Sequence, residues 1–260
     1  MASDTATLEI YMFPCLADNY GFLLHDSEQD LTATIDTPDA DAIEKELVVK
    51  NWKLTHILNT HHHWDHAGGN LALKQKTGCV IAGPQAEASK IPGIDIELHE
   101  GDIFQFGQFK AKVYDTPGHT SGHIVYHFEN EHIAFVGDTL FAMGCGRLFE
   151  GTPEQMWHSL QKIAQWPDDT RLYCAHEYTQ ANARFALTIE PTNQDLIHRA
   201  KAVKELRLKY LPTIPTTLEL EKKTNPFLRP MSGVIRRKLE MTHASDVEVF
   251  ARIRQLKDQF

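Results

Sequence analysis

Short apolar runs fill the first two thirds of the chain, and longer stretches at helical spacing fill the last third. Residues 7–13, residues 20–24 and Leu31 to Ile35 read as strands, the last ending at Asp36-Thr37-Pro38. Ala42, Ile43, Leu47 and Val48 recur at helical spacing and predict a helix over 39–51. A buried strand at 54–58 follows, then a helix from Asn70 to Lys76 closed by Gly78, then a strand at Val80-Ile81-Ala82. Residues 96–115 alternate weakly and break at Gly101 and Gly107, as a hairpin does. Ile124 to Phe128 and Ile133 to Val136 read as strands around a turn at Asn130. Thr152-Pro153-Glu154-Gln155 starts a helix running to about Trp166: Thr152 can cap it, Pro153 fits its first position and Gln155 can close a capping box. Arg171 to Ala175 is a last strand, ending at His176. Beyond Gln180 the pattern is helical over 192–210 and 231–257, with an irregular connection between them. This order predicts an α+β chain: an αβ/βα four-layer sandwich, sheets inside and helices outside, over 1–176, then a helical domain over 177–260.

One strand end carries concentrated chemistry. After the run 54–58 comes Thr60-His-His-His-Trp-Asp-His66. In extended chain, side chains two apart point the same way, so His61 and His63 can converge on one cation while His62 points elsewhere. Asp65 and His66 lie where the chain turns and can face a second cation. The pattern H-x-H-x-D-H arises by chance in about 0.3% of chains of this composition, so it identifies a metal site. Its missing partners are expected at other strand ends. His119 follows Asp115-Thr-Pro-Gly, Asp138 follows Val136-Gly137, and His176 follows Arg171 to Ala175. With Asp138 as a bridge, one cation takes His61, His63, His119 and Asp138, and the other takes Asp65, His66, His176 and Asp138. Asp65 and Asp138 are thereby assigned to catalysis as well as to metal binding. Two such cations lower the pKa of a shared water towards 7 and polarise a carbonyl oxygen, which suits attack on an ester-like bond without a protein nucleophile. Five imidazoles and two carboxylates without thiolate permit zinc, iron or manganese, with zinc the expected pair.

His123 is read as support for the loop of His119. Asp36 is read as a turn cap, with orientation of a ligand as the alternative. The other histidines, His25, His56, His99, His127, His132, His158, His198 and His243, are read as surface or packing residues. Gly144-Cys145-Gly146 lacks the Lys and Ser/Thr of a phosphate loop. Cys145 and Cys174 lie close to the expected site in sequence, but the nearby histidines are committed to metal, so no base remains for a thiol nucleophile.

The 260 residues include fifteen histidines and carry a net charge of -9, unevenly spread. Residues 1–176 hold 11 Lys and Arg against 25 Asp and Glu, whereas residues 177–260 hold 15 against 10. That fits cations bound by the first part and an anion gripped by the second, although charge alone is equally the mark of a solvated basic helix pair. The polar, slightly acidic N-terminus has neither the basic start nor the apolar core of a secretory signal, and no run of eighteen apolar residues occurs. Four cysteines without paired spacing read as reduced thiols. A cytoplasmic protein is expected, with no membrane and no nucleic-acid partner.

The stretch 61–66 resembles the signature of metallo-β-lactamase-fold hydrolases. The wider match resembles the glyoxalase II (hydroxyacylglutathione hydrolase) family. It covers Thr60–Asn70, Thr116–His123, Gly137–Phe141, Gly144–Gly151, His176-Glu-Tyr178, Asn225–Arg229 and Lys257–Phe260. The resemblance implies a monomeric enzyme that cleaves S-D-lactoylglutathione to D-lactate and glutathione, the second step of methylglyoxal detoxification. A metal-bridging hydroxide would attack the thioester. It also implies that glutathione is held at Arg147, Phe149, Tyr178, Arg254 and Lys257. Glutathione carries two carboxylates, so Arg and Lys are apt. Some relatives have Lys and Tyr where this chain has Arg147 and Phe149, and Phe149 can offer only an apolar wall. Relatives that use a polyamine-conjugated glutathione lack the terminal Arg and Lys. A persulfide dioxygenase, which lacks the helical tail, and a lactonase are the competing activities on the same signature.

Overall fold

The computed structural model describes residues 7–260; the first six residues of the polar N-terminal stretch lie outside them. The described chain forms two compact units. One holds the residues up to Asp115 together with Gly122–Phe135, and the other holds Thr116–Ser121 together with Val136–Phe260.

In the first unit, six strands hydrogen-bond in chain order: β1 (Glu9–Cys15), β2 (Asn19–Asp26), β3 (Leu31–Ile35), β4 (Leu54–Leu58), β5 (Val80–Pro84) and β6 (Ile96–Leu98). The first three pair antiparallel and the rest pair parallel. Parallel neighbours need crossover connections, and α1 (Ala40–Lys50) and α3 (Asn70–Thr77) supply two of them. Asp39 caps α1 by accepting from the backbone N–H of Asp41 and Ala42, and Gly78, at φ 72°, ends α3. Ile43 and Leu47 of α1 and Leu73 of α3 pack with Phe13, Leu23, Leu54, Ile57 and Ile81 of the sheet. The unit also contains β7 (Ile103–Phe106), β8 (Phe109–Asp115), β9 (Ile124–Phe128) and the first three residues of β10 (Ile133–Gly137), paired antiparallel in succession. β8 alternates buried and less buried positions up to Val113, the mark of a strand wet on one face. The short helix α2 (Trp64–Ala67) follows β4.

The second unit begins beyond Phe135 and carries a hairpin of β11 (Leu140–Phe141) and β12 (Gly144–Cys145). Helix α4 (Pro153–Ala164) has the expected capping box, Thr152 with Gln155. β13 (Arg171–Cys174) follows, and then α5 (Thr179–Ile189), α6 (Gln194–Leu208), α7 (Leu218–Thr224), α8 (Gly233–Lys238) and α9 (Asp246–Asp258). The tail is more broken than its pattern predicts. Helix α5 lies outside the predicted stretches, and its N-cap Tyr178 makes no side-chain capping bond that would mark a start in sequence. The expected irregular connection holds β14 (Thr216–Thr217), paired with β13, and α7, which Thr217 caps through Leu220 N. The stretch 231–257 is two helices because Ser245 and Glu248 close a capping box that begins α9 afresh.

A buried polar network ties this tail to the hairpin. Glu221 accepts from Arg199, from the hydroxyl of Thr216 at 2.7 Å, from Met143 N at 2.8 Å and from Asn225 Nδ2 at 3.0 Å. Asn225 also donates to Phe141 O and Gly144 O, and Asn182 donates to Ala142 O. The loop 141–144 is thus held by four hydrogen bonds with the side chains of Glu221, Asn225 and Asn182, although Met143 sits at φ 55°.

Candidate functional site

Each unit presents its own set of converging donor atoms. In the first, β4 ends at Leu58, and the chain runs extended through His61-His62-His63 before turning into α2. His61 Nε2 and His63 Nδ1 lie 3.1 Å apart, and His66 Nε2 lies 3.5 Å from Asp65 Oδ2. In the second, Asp138 follows β10, His119 lies in the turn 116–121, and His176 follows β13. His119 Nε2 lies 3.3 Å from Asp138 Oδ2, and His176 Nε2 lies 3.5 Å from Asp138 Oδ1. Two ligands each about 2.0–2.1 Å from one tetrahedral cation lie about 3.3 Å apart, so these pairs have the spacing of donors that share a cation. Asp138 turns one oxygen to each histidine, as a bridging carboxylate does.

The opposite ring nitrogens are held so that these donor atoms stay available. His66 Nδ1 meets Asp36 Oδ2 at 2.8 Å. Thr60 N and Thr60 Oγ1 donate to the two oxygens of the same carboxylate, and His61 Nδ1 reaches Thr60 Oγ1 at 3.0 Å. Asp36 therefore orients two of the histidines, the alternative to a plain turn cap. It does so from φ 57°, a sparsely populated conformation held by Asp36 N on Leu58 O and Thr34 Oγ1 on Asp36 O. His119 Nδ1 donates to Arg147 O at 2.9 Å, which fixes the tautomer that leaves the lone pair on Nε2, the atom facing Asp138. His123 is fully buried and stacks on His61, ring centroids 4.8 Å apart, so within this unit it packs on a donor ring.

Sequence reasoning missed several supporting residues. Asn19 Nδ2 donates to Asp65 Oδ2 at 3.1 Å from β2, 46 residues away. Asn59 Nδ2 donates to His66 O, Asn70 Nδ2 donates to Asn59 Oδ1, and Thr37 Oγ1 donates to Asn70 Oδ1. Asn70 lies in the matched motif, which is the one signal that could have drawn attention to it.

The residues expected at the substrate all lie in the second unit. Arg147 and Phe149 follow the hairpin. Gly146 is required there, since a Cβ would come 2.0 Å from Asp138 O. Phe149 is exposed and packs edge-on to His119, centroids 5.3 Å apart. The Tyr178 ring lies parallel to His176, 4.7 Å away. Arg254 is buried: its NH1 donates to Cys145 O and its NH2 to Asp258 Oδ1, both at 2.9 Å, while its Nε has no hydrogen-bond partner among the described residues. Arg254 thus staples α9 to the loop that carries Arg147. Arg147 Nε lies 3.6 Å from the same Asp258 carboxylate. Lys257 is half-buried; burial, then Arg254 and Arg184, holds its ammonium below the ordinary lysine range, with Asp258 opposing and Arg147 adding to the shift. Arg184, on α5, joins this group of cations and was not anticipated.

Cys15, Cys79, Cys145 and Cys174 are free and buried. Burial pushes the thiols of Cys15 and Cys174 up to about 12 and that of Cys145 to about 11. None is a thiolate nucleophile at neutral pH.

Comparison with known proteins places these features. The chain matches the metallo-beta-lactamase superfamily over residues 31–176, and its fold matches solved structures of that architecture. Similar structures include ETHE1 from Myxococcus xanthus (TM-score 0.69, 23% identity, 95% of this chain and 90% of that one). Another is the BLEG-1 B3 metallo-beta-lactamase (TM-score 0.63, 22% identity, 85% of this chain and 100% of that one). The fold is the αβ/βα sandwich expected from the sequence. Residues 177–260 match the family described as hydroxyacylglutathione hydrolase C-terminus. The hydroxyacylglutathione hydrolase of Maricaulis maris is 57% identical, covering 97% of this chain and 99% of the relative. That of Brucella ovis is 56% identical, covering 97% and 98%. The chain belongs to the hydroxyacylglutathione hydrolase family, whose members are thioester hydrolases.

Proposed function

We propose that the chain hydrolyses S-D-lactoylglutathione and related S-2-hydroxyacylglutathione thioesters to the hydroxy acid and glutathione, the second step of methylglyoxal detoxification. The observation that carries this reading is the family-specific C-terminal segment. It sets the half-buried Lys257 among Arg147, Arg184 and Arg254, with Asp258 as the carboxylate beside them. Like charges gathered in a half-buried place favour a bound anion, and glutathione brings two carboxylates.

In this reading the two donor sets share a pair of divalent cations. His61, His63, His119 and Asp138 would hold one, and Asp65, His66, His176 and Asp138 would hold the other. The spacings of 3.1 to 3.5 Å within each set fit that role, and the mixed imidazole and carboxylate donors suit zinc, with iron or manganese as alternatives. Such a pair, when bound, supplies an activated water and polarises the thioester carbonyl. The chain's own part is to hold and orient. Asp138 spaces the two histidines of its set, Asp65 is steadied by Asn19, and Asp36 fixes His66 and Thr60. Residues 1–176 then form the metal-binding catalytic domain and residues 177–260 the glutathione-binding domain. Arg147, Tyr178 and Lys257 meet the glutathione moiety, Phe149 gives an apolar wall, and Arg254 sets the loop on which Arg147 stands. The protein acts as a monomer in the cytoplasm, in keeping with four unpaired cysteines; among the described residues no helix is long and apolar enough to cross a membrane.

A substrate panel tests the activity. S-D-lactoylglutathione is turned over with kcat/KM of about 10⁴ M⁻¹ s⁻¹ or more, within the ordinary enzyme range, while lactones are not. Oxygen uptake with glutathione persulfide and no thioester cleavage would replace the reading with a dioxygenase. The anion site has its own test. Lys257→Met raises KM by roughly tenfold at neutral pH, the scale of one partly exposed ion pair, and leaves metal content unchanged. Because burial first, and then Arg254 and Arg184, lower the Lys257 pKa, its charge is lost at a lower pH than for ordinary lysine. The wild-type KM therefore rises with pH through that lowered value, and the Lys257→Met profile is flat there. A KM unchanged by the substitution removes Lys257 from the substrate site.

A further inference from the structure

We propose that Glu87 is a positioning residue for the His61–His63 donor pair, acting through His62; this rests on the metal-binding reading above. Period-two geometry puts His61 and His63 on one side of the extended segment, and it puts His62 on the other. What His62 meets there is Glu87, in the 3-10 turn Gln85–Lys90 that follows β5. Glu87 is 1% exposed. Its Oε2 accepts from the His62 backbone N–H at 2.8 Å and contacts His62 Nδ1 at 2.7 Å. Its Oε1 accepts from Gly122 N at 2.9 Å.

One carboxylate therefore fixes both sides of His61. It clamps the peptide between His61 and His63, which sets the angle between the two rings. It also ties down Gly122, the residue before His123, whose ring stacks on His61. The approach at Gly122 is close: a Cβ there would come 2.6 Å from Glu87 Cγ. The bonds are charge-assisted and buried, so they are stiff. A buried acid with two polar contacts on the segment that carries adjacent histidine donors, and a third on Gly122, orients ligands, as outer carboxylates of metal sites do.

Glu87→Gln keeps the volume and removes the charge. Its amide NH2 then faces either a backbone N–H or the His62 ring, so one of the three contacts is lost. We expect the dissociation constant of one divalent cation, the one that His61 and His63 would hold, to rise about 10- to 100-fold, measured by chelator competition on the full chain. At saturating cation, kcat for the thioester returns to within about threefold of wild type. Leu73→Ala, a cavity in the core of the same unit, serves as control. It lowers the unfolding temperature of the metal-free protein and leaves cation affinity unchanged. A merely structural Glu87 would behave like the control, with a loss of stability and no change in affinity, and that result overturns the proposal. If Glu87→Gln does not fold, His62→Ala decides: a rise of about three- to tenfold supports the proposal, and an unchanged constant overturns it. Wild-type protein that binds no divalent cation at all would sink the metal-binding reading itself, an outcome distinct from either.

Discussion

Asp138→Asn lowers hydrolysis of S-D-lactoylglutathione by about 10³-fold or more, which corresponds to about 4 kcal/mol of transition-state stabilisation. The substitution is nearly isosteric, so the fold survives and the loss is chemical. In the wild type each carboxylate oxygen faces a different histidine, Oδ2 to His119 Nε2 at 3.3 Å and Oδ1 to His176 Nε2 at 3.5 Å. Asparagine keeps one acceptor and replaces the other with an NH2 group, which has no lone pair for a cation. It also removes a negative charge that, in the proposed two-cation centre, would help hold the dications close together. Metal content measured on the same sample falls below that of the wild type, while the far-ultraviolet circular dichroism spectrum stays the same. Full turnover with unchanged metal content would remove Asp138 from the ligand set and leave His119 and His176 without a common partner.

Arg199→Met destabilises the protein by about 3–5 kcal/mol, the cost of leaving one member of a buried ion pair without its partner. Arg199 and Glu221 are both buried, and Arg199 also donates to Thr224 Oγ1 and Thr216 Oγ1. Methionine leaves the Glu221 charge with only neutral donors: Thr216, Met143 N and Asn225. The unfolding temperature falls by on the order of 10 °C for a chain of this size. Adding Glu221→Gln recovers part of the loss, because the uncompensated charge is gone. Urea unfolding followed by circular dichroism measures both. A loss under about 1 kcal/mol for Arg199→Met would mean that water reaches Glu221 and that the network is not what holds the 141–144 loop to the helices.

These two sites also show what a sequence can and cannot disclose. Asp138 was legible because it follows an apolar run that can only be a buried strand, and because the cluster at 61–66 needs partners at other strand ends. The same logic found His119 and His176 as candidates. The sandwich was legible because strands and helices alternate with clear periods and the helix caps at Thr152 and Gly78 are local signals. Arg199 and Glu221 carry no such signal. They lie on a helix and in a stretch read as irregular, 22 residues apart, and only the fold sets them together. Asn19 on Asp65 and Glu87 on His62 are illegible for the same reason, since the partners are 46 and 25 residues apart. Arg254 was legible as a cation near the end of the chain. That it turns inward to Cys145 O, 109 residues away, depends on how α9 packs.

Metal dependence of turnover decides whether the donor sets work as a two-cation centre. Purified chain is stripped with a chelator, its residual metal is measured by elemental analysis, and S-D-lactoylglutathione hydrolysis is followed as zinc, iron or manganese is added back. A two-cation centre predicts no turnover without metal and recovery that saturates at two divalent cations per chain. Full turnover by metal-free protein would contradict it.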